Sequence, residues 1–299
     1  MPACKTLEFS SPSLSFDNAK VKVQLLPRDS NRVTRISWNV GGRPFYSTNQ
    51  VKIFDTLVYE SRRTTIYRHE GLALSTPEHL APVFLMWPGR SFCVNVKDGA
   101  GNMPSDAANL VPEIPLMDGS ALPFFLTLRR EVGTPEEIAF YDAPVSGHWD
   151  LRNAPDAPAY GHVRICPAET FEVEYRLERP DVAGGFSSYA NVSIYSPEDL
   201  FRVFQARTFI AEKEYEAARA QGLLAGVDEG CGLLLKSPVT QSSYRIAEEP
   251  ALHKILDLLG DLAFAFPALP KIRIEILNGG HTSHHQILKE VLPYLLKAV

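Results

Sequence analysis

In the stretch "ALHKILDLLGDL" (251–262), His253, Asp257 and Asp261 recur every four residues within an otherwise largely apolar run. On a helix that spacing sends all three from one face. An imidazole and a carboxylate at i and i+4 can chelate a single cation, and the pair suits Zn2+ or Fe2+ better than Ca2+. A salt-bridged helix surface would show the same spacing. Here Ile255, Leu256, Leu258, Leu259 and Leu262 surround the stripe, so it faces something specific.

A catalytic zinc takes about three protein ligands and keeps a position open for water. "PEH" (77–79) offers His79 as the third ligand, with Glu78 beside it as a carboxylate placed to take a proton from water. The alternative is a Glu78 that complements a helix N-terminus and a His79 half-buried in a core. "NGGHTSHHQ" (278–286) holds three of the eight histidines. His281 follows two glycines, which permit close backbone approach to a ligand, and an imidazole there can protonate a leaving amine or serve as a simple cap. His285 shares its face at i+4 and His284 is rotated away, and both read as packing or solvent-facing. His69, His148 and His162 lie in loop-like sequence with no partner at useful spacing.

The elements that must position these groups are mixed. "KVKVQLL", "RVTRISWNV" and "SFCVNVKDG" read as strands, and "STPEHLAPVFLMW" reads as a helix with Thr76 as cap and Pro77 at its first position. "APVSGHWDLRNAPDAPAYGH" reads as an exposed loop, "SPEDLFRVFQA" and "EKEYEAARAQGLL" as helices, "KIRIEIL" as a strand, and the residues after Gly280 as a C-terminal helix. Without regular β-α alternation the expectation is an α+β fold. Each half runs from strands to a helix and ends in a Gly-led segment, which suggests two similar domains, 1–128 and 129–299, each a sheet layered against helices.

With 299 residues, 45% hydrophobic and 22% charged, the chain can bury a sizeable core. A net charge of −5, with no basic run interleaved with aromatics, argues against nucleic acid as a partner. No apolar run approaches the ~18 residues of a membrane span. The opening "MPACKTLEFSSPSLSF" lacks the regions of a signal peptide, and the scattered Cys4, Cys93, Cys166 and Cys231 read as reduced, mostly buried thiols in a cytoplasmic protein. No Walker loop, dinucleotide-binding glycine pattern or G-x-S-x-G elbow is present. Nothing specifies an oligomeric state.

Taken in order, "STPEHL" (75–80), "EIPLMDGSALPF" (113–124), "ARTF" (206–209), "HKILDLLGDL" (253–262) and "GGH" (279–281) resemble the UDP-3-O-acyl-N-acetylglucosamine deacetylases, zinc enzymes of lipid A synthesis. The resemblance implies a two-domain α+β fold with the site between the domains. It implies His79, His253 and Asp257 as zinc ligands, with iron as the other candidate metal. It implies Glu78 as general base, His281 as general acid with Asp261 as its partner, Thr208 on the oxyanion and Lys254 on substrate phosphate. The implied partner is a UDP-linked acylated amino sugar. An insert from Ala206 to Leu235 is implied to form the acyl passage, with Phe209, Ile210, Leu223 and Leu224 as lining.

The chain departs from the family's pattern at "PSLSFDN", where Ser15 stands in for a histidine, at "LAGVDEG", at "KSPVTQSSYRIAEEP", and at His284 and His285, which replace an Asn pair. These departures are expected to miss the metal and the acid/base set and to fall on recognition. Hydrolysis of a different N-acetylated or amide substrate is therefore the second reading, and a non-catalytic binding relative is the third. Retention of Glu78, His79, His253, Asp257 and His281 argues against the third.

Overall fold

Alternation sets the strands. In "AKVKVQL" Ala19, Val21 and Val23 are buried while Lys20 and Lys22 are partly exposed, the two-residue period of a strand with one wet face. The structure, a computed structural model, describes residues 5–27, 34–48, 57–61, 64–97, 111–151, 160–180, 182, 185–224, 226–236 and 243–298. The chain begins with β1 (Thr6–Ser11), β2 (Ala19–Leu25), β3 (Arg35–Val40) and β4 (Arg43–Ser47). A small antiparallel sheet of β5 (Val58–Ser61), β6 (Thr65–His69) and β7 (Leu72–Ser75) follows, then two 3-10 turns, β8 (Ser91–Val96) and helix α1 (Leu122–Val132).

Beyond α1 come β9 (Phe140–Tyr141), β10 (Gly147–Asp150), β11 (His162–Pro167), β12 (Phe171–Arg179), β13 (Phe186–Ile194) and α2 (Pro197–Phe204). The parallel pair β14 (Phe209–Ala211) and β15 (Leu233–Leu235) encloses α3 (Glu212–Ala220). The chain ends with α4 (Glu249–Ala265), β16 (Leu269–Pro270), β17 (Ile272–Leu277) and α5 (His281–Ala298).

The fold is α+β, as expected, and the two five-stranded sheets share one topology. Their orders are β1-β2-β8-β3-β4 and β10-β11-β17-β12-β13. In each, the central strand is parallel to one neighbour (β8 to β3, β17 to β12) and antiparallel to the other. Helix α4 stands between them. It is buried along its whole length apart from Lys254, as a helix apolar on nearly every side must be. Its Phe264 stacks on Tyr67 at 4.2 Å and meets Trp38 at 5.0 Å, both from the first part of the chain. Tyr46 caps the same end by donating its hydroxyl to the Ala265 carbonyl at 2.8 Å.

Three local expectations are corrected. "STPEHLAPVFLMW" forms two short 3-10 turns, Pro77–His79 and Ala81–Met86, in place of an α-helix, and Thr76 sits at φ 61 without a side-chain cap. Pro82 has no N–H for the Glu78 carbonyl, the bond an α-helix needs there. The stretch expected as a loop around residues 143–162 contains edge strand β10, and residues 152–159 lie outside the described ones. His69, His148 and His162 are on β6, β10 and β11. The free thiols Cys93 and Cys166 are half-buried, Cys231 is buried, and Cys4 lies outside the described residues.

The freed Glu78 carbonyl is packed directly on α4. A Cβ at Gly260 would sit 2.1 Å from that oxygen and 2.5 Å from the Glu78 Cα, so only glycine permits the approach. Gly260→Ala is expected to cost about 1–3 kcal/mol or more in urea unfolding, because backbone rather than a flexible side chain must yield. Activity should fall alongside, since the clash displaces Glu78 from the residues of α4. An unchanged unfolding midpoint would show that the two elements do not touch.

Candidate active site

Two segments meet at α4. The turn carrying Glu78 and His79 is clamped on both sides: Thr76 N–H donates to the Thr65 carbonyl at 3.0 Å, and Ser75 exchanges backbone hydrogen bonds with Pro112 and Ile114. The loop 206–208 is pinned to the start of α4 by Arg207, whose guanidinium grips buried Glu249 at 2.8 and 3.1 Å. From these supports His79, His253 and Asp257 converge, with ligand atoms all within 4.8 Å of one another.

The protonation pattern suits a cation. His253 Nδ1 donates to the Ala206 carbonyl at 3.2 Å, which leaves Nε2 as a lone pair 3.3 Å from Asp257 Oδ1. His79 Nε2 stands 3.7 Å from the same oxygen. Burial drives the His253 pKa down to about 3 despite the neighbouring carboxylate, so the ring is neutral. Burial alone would raise Asp257, but His253, Lys254 and His79 outweigh it and hold the carboxyl well below its usual range. His79 Nδ1 and Glu78 Oε2 are buried without hydrogen-bond partners. A desolvated carboxylate beside imidazole lone pairs fits a divalent ion.

One turn along α4, Asp261 organises the second cluster. Its Oδ2 accepts His281 Nδ1 at 2.7 Å and His284 Nδ1 at 2.9 Å, and its Oδ1 accepts the Thr65 hydroxyl at 2.9 Å. Burial opposes the charge on His281, but Asp261, with Glu78 and Asp257, outweighs it and pushes the pKa up to about 10. Glu78 Oε1 lies 3.7 Å from His281 Nε2 and accepts the Thr64 hydroxyl at 2.9 Å. Burial raises the Glu78 carboxyl, against the pull of His281 and His79. A proton acceptor and a proton donor thus face each other beside the donor set.

The first glycine of "GGH" answers to crowding. A Cβ at Gly279 would sit 2.5 Å from Ser283 Oγ and 2.6 Å from Ile276 Cγ2. Tyr175 fixes the turn by donating to the Gly279 carbonyl at 2.6 Å. Of the two readings of His284 and His285, packing holds and solvent-facing is corrected, as is the expectation that these departures miss the acid/base set: both are buried, and both stand on Asp261, His285 Nε2 at 3.8 Å from Oδ1. Because α5 begins at His281, the residue three places on returns to the same face, a signal the sequence contained. Thr64 and Thr65 carried no such signal, since their proximity to Glu78 and Asp261 is tertiary.

The remaining sites expected from sequence are less gathered. Thr208 N–H donates to the Gly119 carbonyl at 2.6 Å, with its methyl toward Gly119 and Gly232. Lys254 Nζ lies 2.9 Å from Asp257 Oδ2 and 5.5 Å above the Phe209 ring, which itself meets His253 at 6.2 Å. Ile210 is half-buried opposite Leu234, and Leu223 is 42% exposed. Leu224 is buried, with its N–H on the Leu14 carbonyl. Ser15 donates its hydroxyl and N–H to Glu113 at 2.8 and 3.1 Å.

Residues 7–293 match the family model described as UDP-3-O-acyl N-acetylglycosamine deacetylase. The chain belongs to this family. It is a divergent member: the UDP-3-O-acyl-N-acetylglucosamine deacetylase of Phenylobacterium zucineum is 29% identical over 253 residues, covering 81% of this chain and 77% of the relative. That of Aliivibrio fischeri is 25% identical over 236 residues, 77% of this chain and 70% of the relative. That of Nitratidesulfovibrio vulgaris is 28% identical over 200 residues, 65% of this chain and 57% of the relative.

The His281–Asp261 pair makes stability depend on pH in two windows. His281 is raised in the folded state, so its contribution is full below about pH 6.5 and is lost as pH rises through about 10. Asp261 is lowered, so its contribution is present above about pH 3.9 and is lost as pH falls below that. Urea unfolding of wild type should weaken in both directions, and Asp261→Asn should flatten both limbs. A parallel pH dependence in wild type and variant would remove the pair as its source.

Proposed function

We propose that the protein hydrolyses the N-acetyl group of a UDP-3-O-acyl-N-acetylglucosamine, the substrate its relatives are named for, as a step of lipid A biosynthesis in the cytoplasm. The observation that carries the reading is the 3.7 Å approach of Glu78 Oε1 to His281 Nε2 beside a donor set of two imidazoles and one carboxylate. The free thiols Cys93, Cys166 and Cys231 suit a reducing compartment. Among the described residues no helix is long and apolar enough to cross a membrane.

His79, His253 and Asp257 would hold the metal, and Zn2+ is the ion this donor set favours, with Fe2+ sharing the preference. When bound, such an ion supplies a Lewis acid that acidifies water and polarises the amide carbonyl. Glu78 takes a proton from the water that attacks the acetyl carbon, and its unpartnered Oε2 is the acceptor. The Thr208 hydroxyl donates to the carbonyl oxygen as charge gathers there. The C–N bond then breaks, and His281 gives its Nε2 proton to the leaving nitrogen while Asp261 holds the other ring N–H. Acetate and a free amine leave. The proton on Glu78 returns to His281 across the short gap between them.

Lys254 is proposed to meet the substrate phosphate from its partly exposed place above Phe209. Phe209, Ile210, Leu223 and Leu224 are proposed to guide the acyl chain along the insert. The two sheets are proposed to mark two domains of about the extents read from sequence, 1–128 and 129–299. In support, helix α1 ends close to that boundary, at Gly133 with φ 103.

Acetate release from UDP-3-O-(3-hydroxyacyl)-GlcNAc by the zinc-loaded protein tests the reading directly. Asp257→Ala should lose both bound zinc and release. Glu78→Gln should keep zinc yet lose about 10²–10⁴ in kcat. Undiminished release by Glu78→Gln would remove it as the base. No release by wild type with zinc bound would move the same hydrolysis to another N-acetylated substrate.

A further inference from the structure

His284 is a buried imidazole for which the proposed reaction has given no task. It lies wholly inside the protein, and its Nδ1 shares Asp261 Oδ2 with His281 Nδ1, at 2.9 and 2.7 Å. A carboxylate oxygen has two lone-pair directions, so it can accept both. Asp261 is held ionised by His281 and the bonds it receives, even against the cost of burial. An ionised carboxylate only accepts, so His284 must carry its proton on Nδ1. Its Nε2 is then a bare lone pair, buried without a hydrogen-bond partner. The ring meets Tyr175 edge-on at 6.5 Å, and the Tyr175 hydroxyl is itself tied to the Gly279 carbonyl.

We propose that His284 is a positioning residue for the deacetylation: its second hydrogen bond to Asp261 draws negative charge away from His281 and makes His281 a readier proton donor. The inference rests on the reading of His281 as the acid. The groups against His281 are Asp261 from α4, Glu78 from the turn after β7 and His284 from α5, and Asp257 of α4 adds its charge without touching the ring. All three carboxylates pull the proton onto His281, whereas a general acid works best with a pKa near the working pH. On Asp261 the opposing donors are the Thr65 hydroxyl and His284 N–H, with His285 at 3.8 Å. Burial keeps His284 on the low side of its usual pKa, so it donates as a neutral ring and brings no second cation into the site. Its place three residues after His281 lets one turn of α5 deliver both imidazoles to one oxygen.

The test follows the His281 ring by nitrogen-correlated NMR titration in zinc-loaded wild type, His284→Phe and His284→Asn, with kcat and KM measured across pH. His284→Phe removes the donor at similar shape and should raise the His281 pKa by about one unit, a tenfold change in its acid constant. At neutral pH its kcat should fall about three- to tenfold with KM unchanged, because a more tightly held proton is transferred less readily. His284→Asn retains an amide donor and should restore the wild-type titration. If His284→Phe fails to fold, His284→Met removes the donor and the same titration decides. A His281 titration identical in wild type and the donor-less variant overturns the proposal, even if that variant melts lower. His281→Ala separates the two readings: full activity there overturns the acid assignment and this inference with it. An inactive His281→Ala together with an unshifted His284→Phe overturns this inference alone.

Discussion

Two buried carboxylates one turn apart, Asp257 and Asp261, stand in a helix that only Lys254 opens toward water, and each must find its counter-charge inside the protein. That constraint dictates what surrounds α4. Asp257 is answered by the Lys254 ammonium, and Asp261 by the His281 imidazolium, with the His284 N–H and the Thr65 hydroxyl as neutral donors beside it. Losing one partner would leave a buried charge uncompensated, at a cost of about 3–5 kcal/mol by general experience. The two clusters are therefore structural and chemical at once. Holding Asp261 ionised and holding His281 cationic are the same act.

The two clusters have to stand at a fixed offset, and backbone contacts set it. Gly260 lets the Glu78 main chain rest on α4 just before Asp261, so the carboxylate of Glu78 reaches His281 while His79 reaches Asp257. Glycine at 279 does the corresponding work on the other side, letting the turn before α5 close against Ser283 and Ile276. At Gly260 backbone rests on backbone, and at Gly279 backbone rests on buried side chains, supports that fix a position better than long side chains on loops.

Much of this was legible in the sequence, and the parts that were not share a cause. The i, i+4 spacing of His253, Asp257 and Asp261 gave their common face, because helical periodicity is local. The pairing of Gly279 and Gly280 before His281 marked the turn for a similar reason. "STPEHL" misled as a helix start because Thr76 adopts a left-handed backbone imposed from outside, by its hydrogen bond to Thr65. Thr64 and Thr65 could not be read at all, since nothing in "RRTTIYR" says which helix the strand will meet. His284 is the opposite case: its i+3 relation to His281 is local and legible, but its bond to Asp261 depends on where α4 lies.

The repeated strand order carries a consequence for how the molecule comes to exist in time. In both sheets the central strand is the last to arrive, β8 after β3 and β17 after β12, and it must join a parallel neighbour across a long intervening chain. Such pairings close large loops before any contact rewards them, which makes for slow folding. His281 follows β17 by only a few residues, and His79 reaches Asp257 only when the parts carrying the two sheets have docked on α4. The convergence of His79 with His253 and Asp257 is thus expected among the later features to form, since it joins parts of the chain far apart in sequence.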